Sequence, residues 1–373
     1  MHRMARCAIQ WTAILGTLIG CAAPPRQSPA PATPAPPAAS STRWLAAEWH
    51  DLPGLAEDTL LQAWPAWRAG CTRPLPAWST ICARVLLEPP ADEAAARQWL
   101  RTHLRPWRLE AADGRREGLA TGYFEPELAA ARRPDARFRA PVHALPTGLA
   151  ERRPFFTRRQ LESEPTAMAT LRGLEIAWLE DPLDVLMLQV QGSGRLRMAG
   201  PDGRPQLVRL AFAGHNGQPF RAVGRWLVEQ GEVRPDATSW PALRAWALQN
   251  PQRADELRWS NPRVVFFREE PLPDPQVGPR GALGVPLTPG RSIAVDAQSL
   301  PLGTPLWLDT LEPASTSPLR RLVLAQDRGA AITGALRVDV FFGWGAQAEA
   351  AASRMRQPLR LWALWPRDAA PPR

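Results

Sequence analysis

From Leu119 to the C-terminus the apolar residues come in short runs, each cut off by glycine or proline. That texture predicts short strands joined by tight turns, the raw material of β-barrels. One helical interruption is expected near Ala222–Leu257. Ahead of the β-rich part, residues 44–104 are rich in Trp, Leu and Ala and read as helical, broken at Asp51-Leu52-Pro53-Gly54. The clearest helix is Ala91–Leu100, with acids early and arginine late, as the helix dipole favours. The expected class is mainly β with N-terminal helices, and no internal repeat is visible.

Within this frame Leu324–Trp344 is the most unusual stretch. An apolar run, Leu322–Ala325, delivers Asp327 into a Gly/Ala-rich turn from Arg328 to Gly334. A second strand, Leu336–Phe342, then carries Asp339 between Val338 and Val340. Aspartate is depleted in strands, so both positions ask for a reason. An Asx-turn at Asp327 and a solvent-facing alternate position at Asp339 would satisfy the local pattern. Chemistry would satisfy it too.

The chain is long enough, at 373 residues, for one large core or two ordinary ones. All 45 basic residues are arginine, and the formal net charge is +9. A basic surface suits an anionic partner such as nucleic acid, acidic lipid or an acidic wall polymer. With no zinc-finger spacing, RNA-binding motif or dense basic run, nucleic acid ranks last. Residues 1–20 have a basic start, Arg3 and Arg6, and an apolar stretch too short for a comfortable membrane span. They end Leu18-Ile19-Gly20-Cys21, which resembles a bacterial lipobox with Cys21 as the lipidated mature terminus; an ordinary signal peptide is the alternative. Ala22 after that cysteine implies outer-membrane delivery in such signals, and Ala22–Ser41, rich in Pro, Ala, Ser and Thr, reads as a tether. Cys71 and Cys82 then remain, either as a disulfide in an oxidising periplasm or as two free thiols. No spacing suggests a metal site, and no cofactor is called for.

Further clusters punctuate the β-rich part. Gly118–Leu128 contains Thr121 and the only tyrosine, Tyr123. Leu183–Arg197 reads as an apolar strand followed by Gln191-Gly192-Ser193-Gly194-Arg195, which a hairpin loop alone would explain. No lysine-serine/threonine pair follows, so it is no phosphate loop. Gly214-His215-Asn216-Gly217 and Asn261–Arg268 come next, and Gly281–Gly303 places Asp296 after a strand at Ser292–Val295.

Together, DLPG, TGYFEP, QGSGRL, GHNG, NPRVVFF, GVPLTPGRSIAVD, PLGTP, QDRGAAITG and RVDVFFG stand in the order found in the membrane-bound lytic murein transglycosylase A family, which this chain resembles from about Trp44 to Pro366. The resemblance implies a double-psi β-barrel, a second β-barrel domain inserted into it, and a groove between them for a glycan strand. It divides the chain into a lipoprotein signal peptide (1–20), a tether (21–42), a helical start plus catalytic barrel (43–128 and 262–368) and an inserted β domain (129–261). It implies a peptidoglycan lytic exotransglycosylase, a carbon–oxygen lyase that cuts the MurNAc-β-1,4-GlcNAc bond and leaves 1,6-anhydro-MurNAc ends. A non-catalytic glycan-binding or wall-loosening barrel is the alternative, and a hydrolase is a third option. Asp339 falls at the family's catalytic aspartate, with Asp327 and Asp296 as supporting carboxylates. DRGAAI departs from the family's turn, where a small residue and a second glycine are usual; Ala330 is tolerable there only if its φ is negative.

Such a lyase needs a proton for the leaving oxygen and later a base for the muramyl 6-hydroxyl, and one carboxyl can serve both in turn. Burial between Val338, Val340 and Phe341 would raise its pKa, and a nearby Asp327 would raise it further. The developing oxocarbenium would be stabilised by the substrate's N-acetyl group or by Asp327. Thr121, Tyr123, Gln191, Gly192, Ser193, Asn216 and Trp344 are candidates for sugar binding; most of the 17 tryptophans read as core. His215 is more simply a turn former. Arg195 and Arg291 are candidates for the lactyl-peptide carboxylates or, equally, solvated surface groups. Expected partners are peptidoglycan strands, outer-membrane lipid through acylated Cys21, and a cell-wall synthesis or division complex. The expected location is the periplasmic face of the outer membrane.

Overall fold

The computed structural model describes residues 42–372 apart from Pro201. The expected signal peptide, Cys21 and all but the last tether residue lie outside the described residues. No helix among the described residues is long and apolar enough to cross a membrane.

The chain opens with β1 (Arg43–Ala46), then helices α1 (Trp64–Gly70), α2 (Ser79–Leu87) and α3 (Glu93–His103), and returns along β2 (Leu104–Glu110), which pairs antiparallel with β1. α3 starts two residues after the expected Ala91 because Asp92 is its cap, accepting from the Ala95 N–H at 2.8 Å. Trp64, Trp67, Trp78 and Trp99 pack edge to face, with ring centroids 5.2 to 6.5 Å apart, and Trp78 meets Trp365 of the last strand at 5.3 Å. These rings bury the helices against the barrel. A disulfide, Cys71–Cys82, ties the end of α1 to α2 with a Cα–Cα distance of 4.9 Å.

There follow β3 (Gly118–Glu125), β4 (Glu127–Ala129), β5 (Ala140–His143), α4 (Arg158–Ser163), α5 (Pro165–Ala169), β6 (Glu175–Leu179), α6 (Pro182–Gln191), β7 (Ser193–Ala199) and β8 (Pro205–His215). Next come α7 (Val223–Glu229), α8 (Trp240–Gln249), α9 (Ala254–Trp259), β9 (Val265–Pro271), β10 (Ser292–Val295), β11 (Pro305–Leu311), β12 (Pro318–Asp327), β13 (Arg337–Trp344), α10 (Gly345–Arg354) and β14 (Arg356–Pro366).

Six of these strands close a ring in the order β3, β13, β10, β12, β11, β14 and back to β3. β10–β12 and β3–β13 are parallel; the other four pairs are antiparallel. Ala120, Ile293, Val295, Val323, Val338 and Val340 point inward and form its core. The alternate residues of β13, Arg337 and Asp339, therefore leave on the outer face.

The segment between β3 and β10 makes a second barrel. Strands β4, β7, β8 and β9 form one sheet and β5–β6 an antiparallel pair. Ala144, just after β5, bridges Phe267 of β9, and Trp178 of β6 exchanges two 2.9 Å hydrogen bonds with Ala131, just after β4. These bridges join both edges of the sheet to the β5–β6 pair. Val142, Leu179, Leu196, Leu210 and Phe267 fill the interior, with Leu188 of α6 among them.

One expectation is corrected. Leu183–Val190 is a helix, α6, not a strand. Asp181 caps it by accepting from the Leu183 N–H at 2.8 Å, Pro182 occupies its first turn, and Gly192 ends it at φ 83°. A continuous apolar run fits a buried helix as well as a buried strand, and the caps decide. Gln191–Arg195 is thus a helix-to-strand corner. Strand β9 pairs with β8 as far as Pro271.

Candidate active site

Register places one row of side chains across the outer face of the first barrel. Arg356 of β14 stands opposite Thr121 of β3, Thr121 opposite Asp339, Asp339 opposite Ala294 of β10, and Ala294 opposite Asp327 of β12. Two carboxylates thus straddle the small Ala294. Each arrives by a different device: Asp339 by the two-residue period of β13, Asp327 by sitting at the last position of β12.

Asp339 is half-buried, and the Thr121 hydroxyl donates to its Oδ1 at 2.6 Å. Its pKa is pushed up to about 6, chiefly by burial; Thr121 and the Arg337 charge pull it down, and Asp327 pushes it up. Asp327 is held from three sides. The Tyr123 hydroxyl donates to Oδ2, and the Ala282 and Arg328 N–H groups donate to Oδ1, each at 2.9 Å. Burial raises its pKa, and these three donors oppose the rise. The Tyr123 pKa is raised as well, first by burial and then by Asp327, so its hydroxyl keeps its proton. Its ring leans on Phe341 with centroids 5.3 Å apart. Thr121–Asp339 and Tyr123–Asp327 are two hydrogen-bonded pairs whose charges act on one another.

Asp296 plays another part. Its Oδ1 accepts from the Gln298 N–H at 3.0 Å, and its Oδ2 accepts from the Gly334 N–H at 2.7 Å and the Ser299 hydroxyl at 3.2 Å. It therefore clamps the turn after Asp327 in place. Gly334 needs its φ of 89°, whereas Ala330 is not among the residues with positive φ, so the DRGAAI departure carries no backbone strain.

The insert reaches this row through α6, whose Gln191 Oε1 accepts from the Phe124 N–H at 3.1 Å. Gly192 turns the corner into β7, and Ser193 opens that strand half-exposed. Three expected ligand residues are withdrawn from that role. Arg195 is buried: it donates to Glu125 Oε2 at 2.7 Å and to the Pro275 and Val277 carbonyls. Asn216 is buried, donates to the Phe156 and Pro262 carbonyls and accepts from the Gln218 and Val264 N–H groups. Arg291 is buried in an ion pair with Asp58, two N–O contacts of 2.9 Å. Trp344 is half-buried with one face beneath Arg195, whose guanidinium carbon lies 3.8 Å from the ring centroid. His215 forms its own turn, its Nδ1 accepting from the Gly217 N–H at 2.9 Å. The residues the sequence did not single out are Glu125 and Arg209, which complete the Arg195 cluster, Arg337, two residues before Asp339, and Arg356, opposite Thr121. Only Arg337 left a trace, two positions from Asp339 in one strand. Among the described residues no group of His, Cys, Asp and Glu could hold a metal ion.

Residues 119–268 match the MltA specific insert domain and residues 291–365 the 3D domain. A membrane-bound lytic murein transglycosylase A of Vibrio cholerae is 31% identical over 252 residues, 66% of this chain and 65% of that protein, so the match spans just under two thirds of that relative. The structure of the lytic transglycosylase LtgG of Burkholderia pseudomallei is 40% identical, covering 87% of this chain and 96% of that one, with a TM-score of 0.60. That of a membrane-bound lytic murein transglycosylase from Agrobacterium tumefaciens is 28% identical, covering 87% and 98%, with a TM-score of 0.74. With both domain matches in the expected order, the chain belongs to the membrane-bound lytic murein transglycosylase A family.

Proposed function

We propose that the chain is a lytic transglycosylase that cleaves the MurNAc-β-1,4-GlcNAc bond of peptidoglycan, with Asp339 as the one acid and base. The observation that carries this reading is the Asp339 carboxyl, fixed by Thr121 and poised at a pKa of about 6. Protonated Asp339 gives its proton to the glycosidic oxygen as the bond from C1 breaks. The resulting carboxylate takes the proton of the muramyl 6-hydroxyl while that oxygen closes on C1. The carboxyl is then protonated again, and no water enters the balance. Between those steps C1 carries positive charge. An ionised Asp327, held in place by Tyr123, Ala282 and Arg328, stands across Ala294 to stabilise it. Glycosidases that hydrolyse need a second carboxylate to activate water or attack the sugar; an internal nucleophile removes that need.

Asp339→Asn keeps the shape and loses the proton. Wild-type digestion of sacculi should release 1,6-anhydro muropeptides, read by mass spectrometry, and the variant should release none while still sedimenting with sacculi. Reducing ends from the wild type would mean a hydrolase, and unchanged strands would mean a binding module.

The membrane-bound names of relatives and the lipobox ending at Cys21 support a lipid-anchored protein at the periplasmic face of the outer membrane. Cys21→Ser should move the protein from the membrane fraction to the soluble one.

A further inference from the structure

Two arginines flank the reacting carboxyl without neutralising it. Arg337 precedes Asp339 by two residues on β13, so both side chains leave the same outer face. Its Nη1 donates to the main-chain carbonyls of Leu119 and Val338, at 3.5 and 2.5 Å. Nε and Nη2 have no partner among the described residues. Arg356, exposed at the start of β14, stands opposite Thr121 and has no hydrogen bond or ion pair among the described residues. Neither guanidinium is paired with Asp339; the Arg337 charge feels both the Asp339 carboxylate and the Arg356 guanidinium.

The Arg337 charge works against the acid, because it favours the ionised form of Asp339. Unlike Arg195 and Arg291, whose donors are used internally, Arg337 Nε and Nη2 and the Arg356 guanidinium are left unspent among the described residues. An anion supplied by the substrate would consume them. Guanidinium forks match carboxylates, and an anchored Arg337 is already ordered before binding. We propose that Arg337 and Arg356 form a clamp for the carboxylates of the stem peptide on the muramyl residue being cleaved. The chemistry of that sugar fits: the peptide hangs through a lactyl ether from the same ring whose C1 is released beside Asp339. This inference rests on the transglycosylase reading and adds to it what the enzyme recognises besides sugar.

The test compares soluble glycan strands bearing native stem peptides with the same strands after chemical amidation of the peptide carboxylates. The readout is the ratio of kcat/KM for release of 1,6-anhydro ends from the two substrates. A ratio is independent of the fraction of active enzyme, so a poorly folding variant still reports. Wild type should prefer native strands about tenfold, the worth of a charge-assisted contact. In Arg337→Gln/Arg356→Gln the ratio should fall toward one. A wild-type ratio near one, or an unchanged ratio in the double variant, would overturn the clamp and leave the lyase standing. No anhydro ends from either substrate would overturn the lyase itself.

Discussion

Asp339 has to be an acid and then a base within one turnover, and a pKa of about 6 serves both. The reactive form of the free enzyme is protonated, so kcat/KM should fall about tenfold per pH unit above about 6. The same shift acts on stability. Burial raises this group from 3.8 to about 6, so the folded chain binds the proton more tightly than the unfolded one. The destabilisation is absent below about pH 4, grows as pH rises, and is complete above about 6. It is on the order of 3 kcal/mol at most, so Asp339→Asn should raise the Tm at neutral pH, with the gain shrinking toward pH 4. Thr121→Val removes a donor that favours the ionised form. The upper limb of the pH profile should therefore move to higher pH, while a merely structural role would leave it in place. The sequence marked Asp339 because aspartate between two valines is out of character in a strand. It could not mark Thr121 as that aspartate's partner, since the two are 218 residues apart.

At the scale of elements, β10 and β13 were legible as short apolar runs bounded by turn residues, with Asp339 the residue out of keeping. Strand β10 occupies Ser292–Val295 as expected, and β13 begins one residue after the expected Leu336. Helix α6 was not legible by periodicity. Leu183, Val185, Leu186, Met187 and Leu188 are all buried, so it has no polar face to reveal its pitch. Its termini carried the signal, in Asp181-Pro182 and in Gly192. Asp181→Ala should accordingly cost about 1 kcal/mol in urea unfolding. Gln191 is the last residue of α6 and holds Phe124, so loosening the helix should also lower the rate of anhydro-end release.

At the scale of the whole molecule, the two barrels are pinned by Glu125, the last residue of β3. It is fully buried and accepts from Arg195 of β7 and Arg209 of β8, and both arginines reach on to the Val277 carbonyl. Glu125→Gln would leave two buried guanidiniums without a counter-charge, a loss of about 3–5 kcal/mol that thermal unfolding should register. Much of this molecule followed from its sequence alone. The punctuated apolar runs pointed to β-barrel structure, the family resemblance to two barrels, and the strand period aimed Asp339 away from the core. The tertiary structure alone decided which polar side chains remain available to a ligand. Arg195, Asn216 and Arg291 are consumed by partners 70, 48 and 233 residues away, whereas the Arg356 side chain, opposite Thr121, has no partner among the described residues. Side-chain availability depends on what distant segments bring to the same place, and a local pattern carries no record of that meeting.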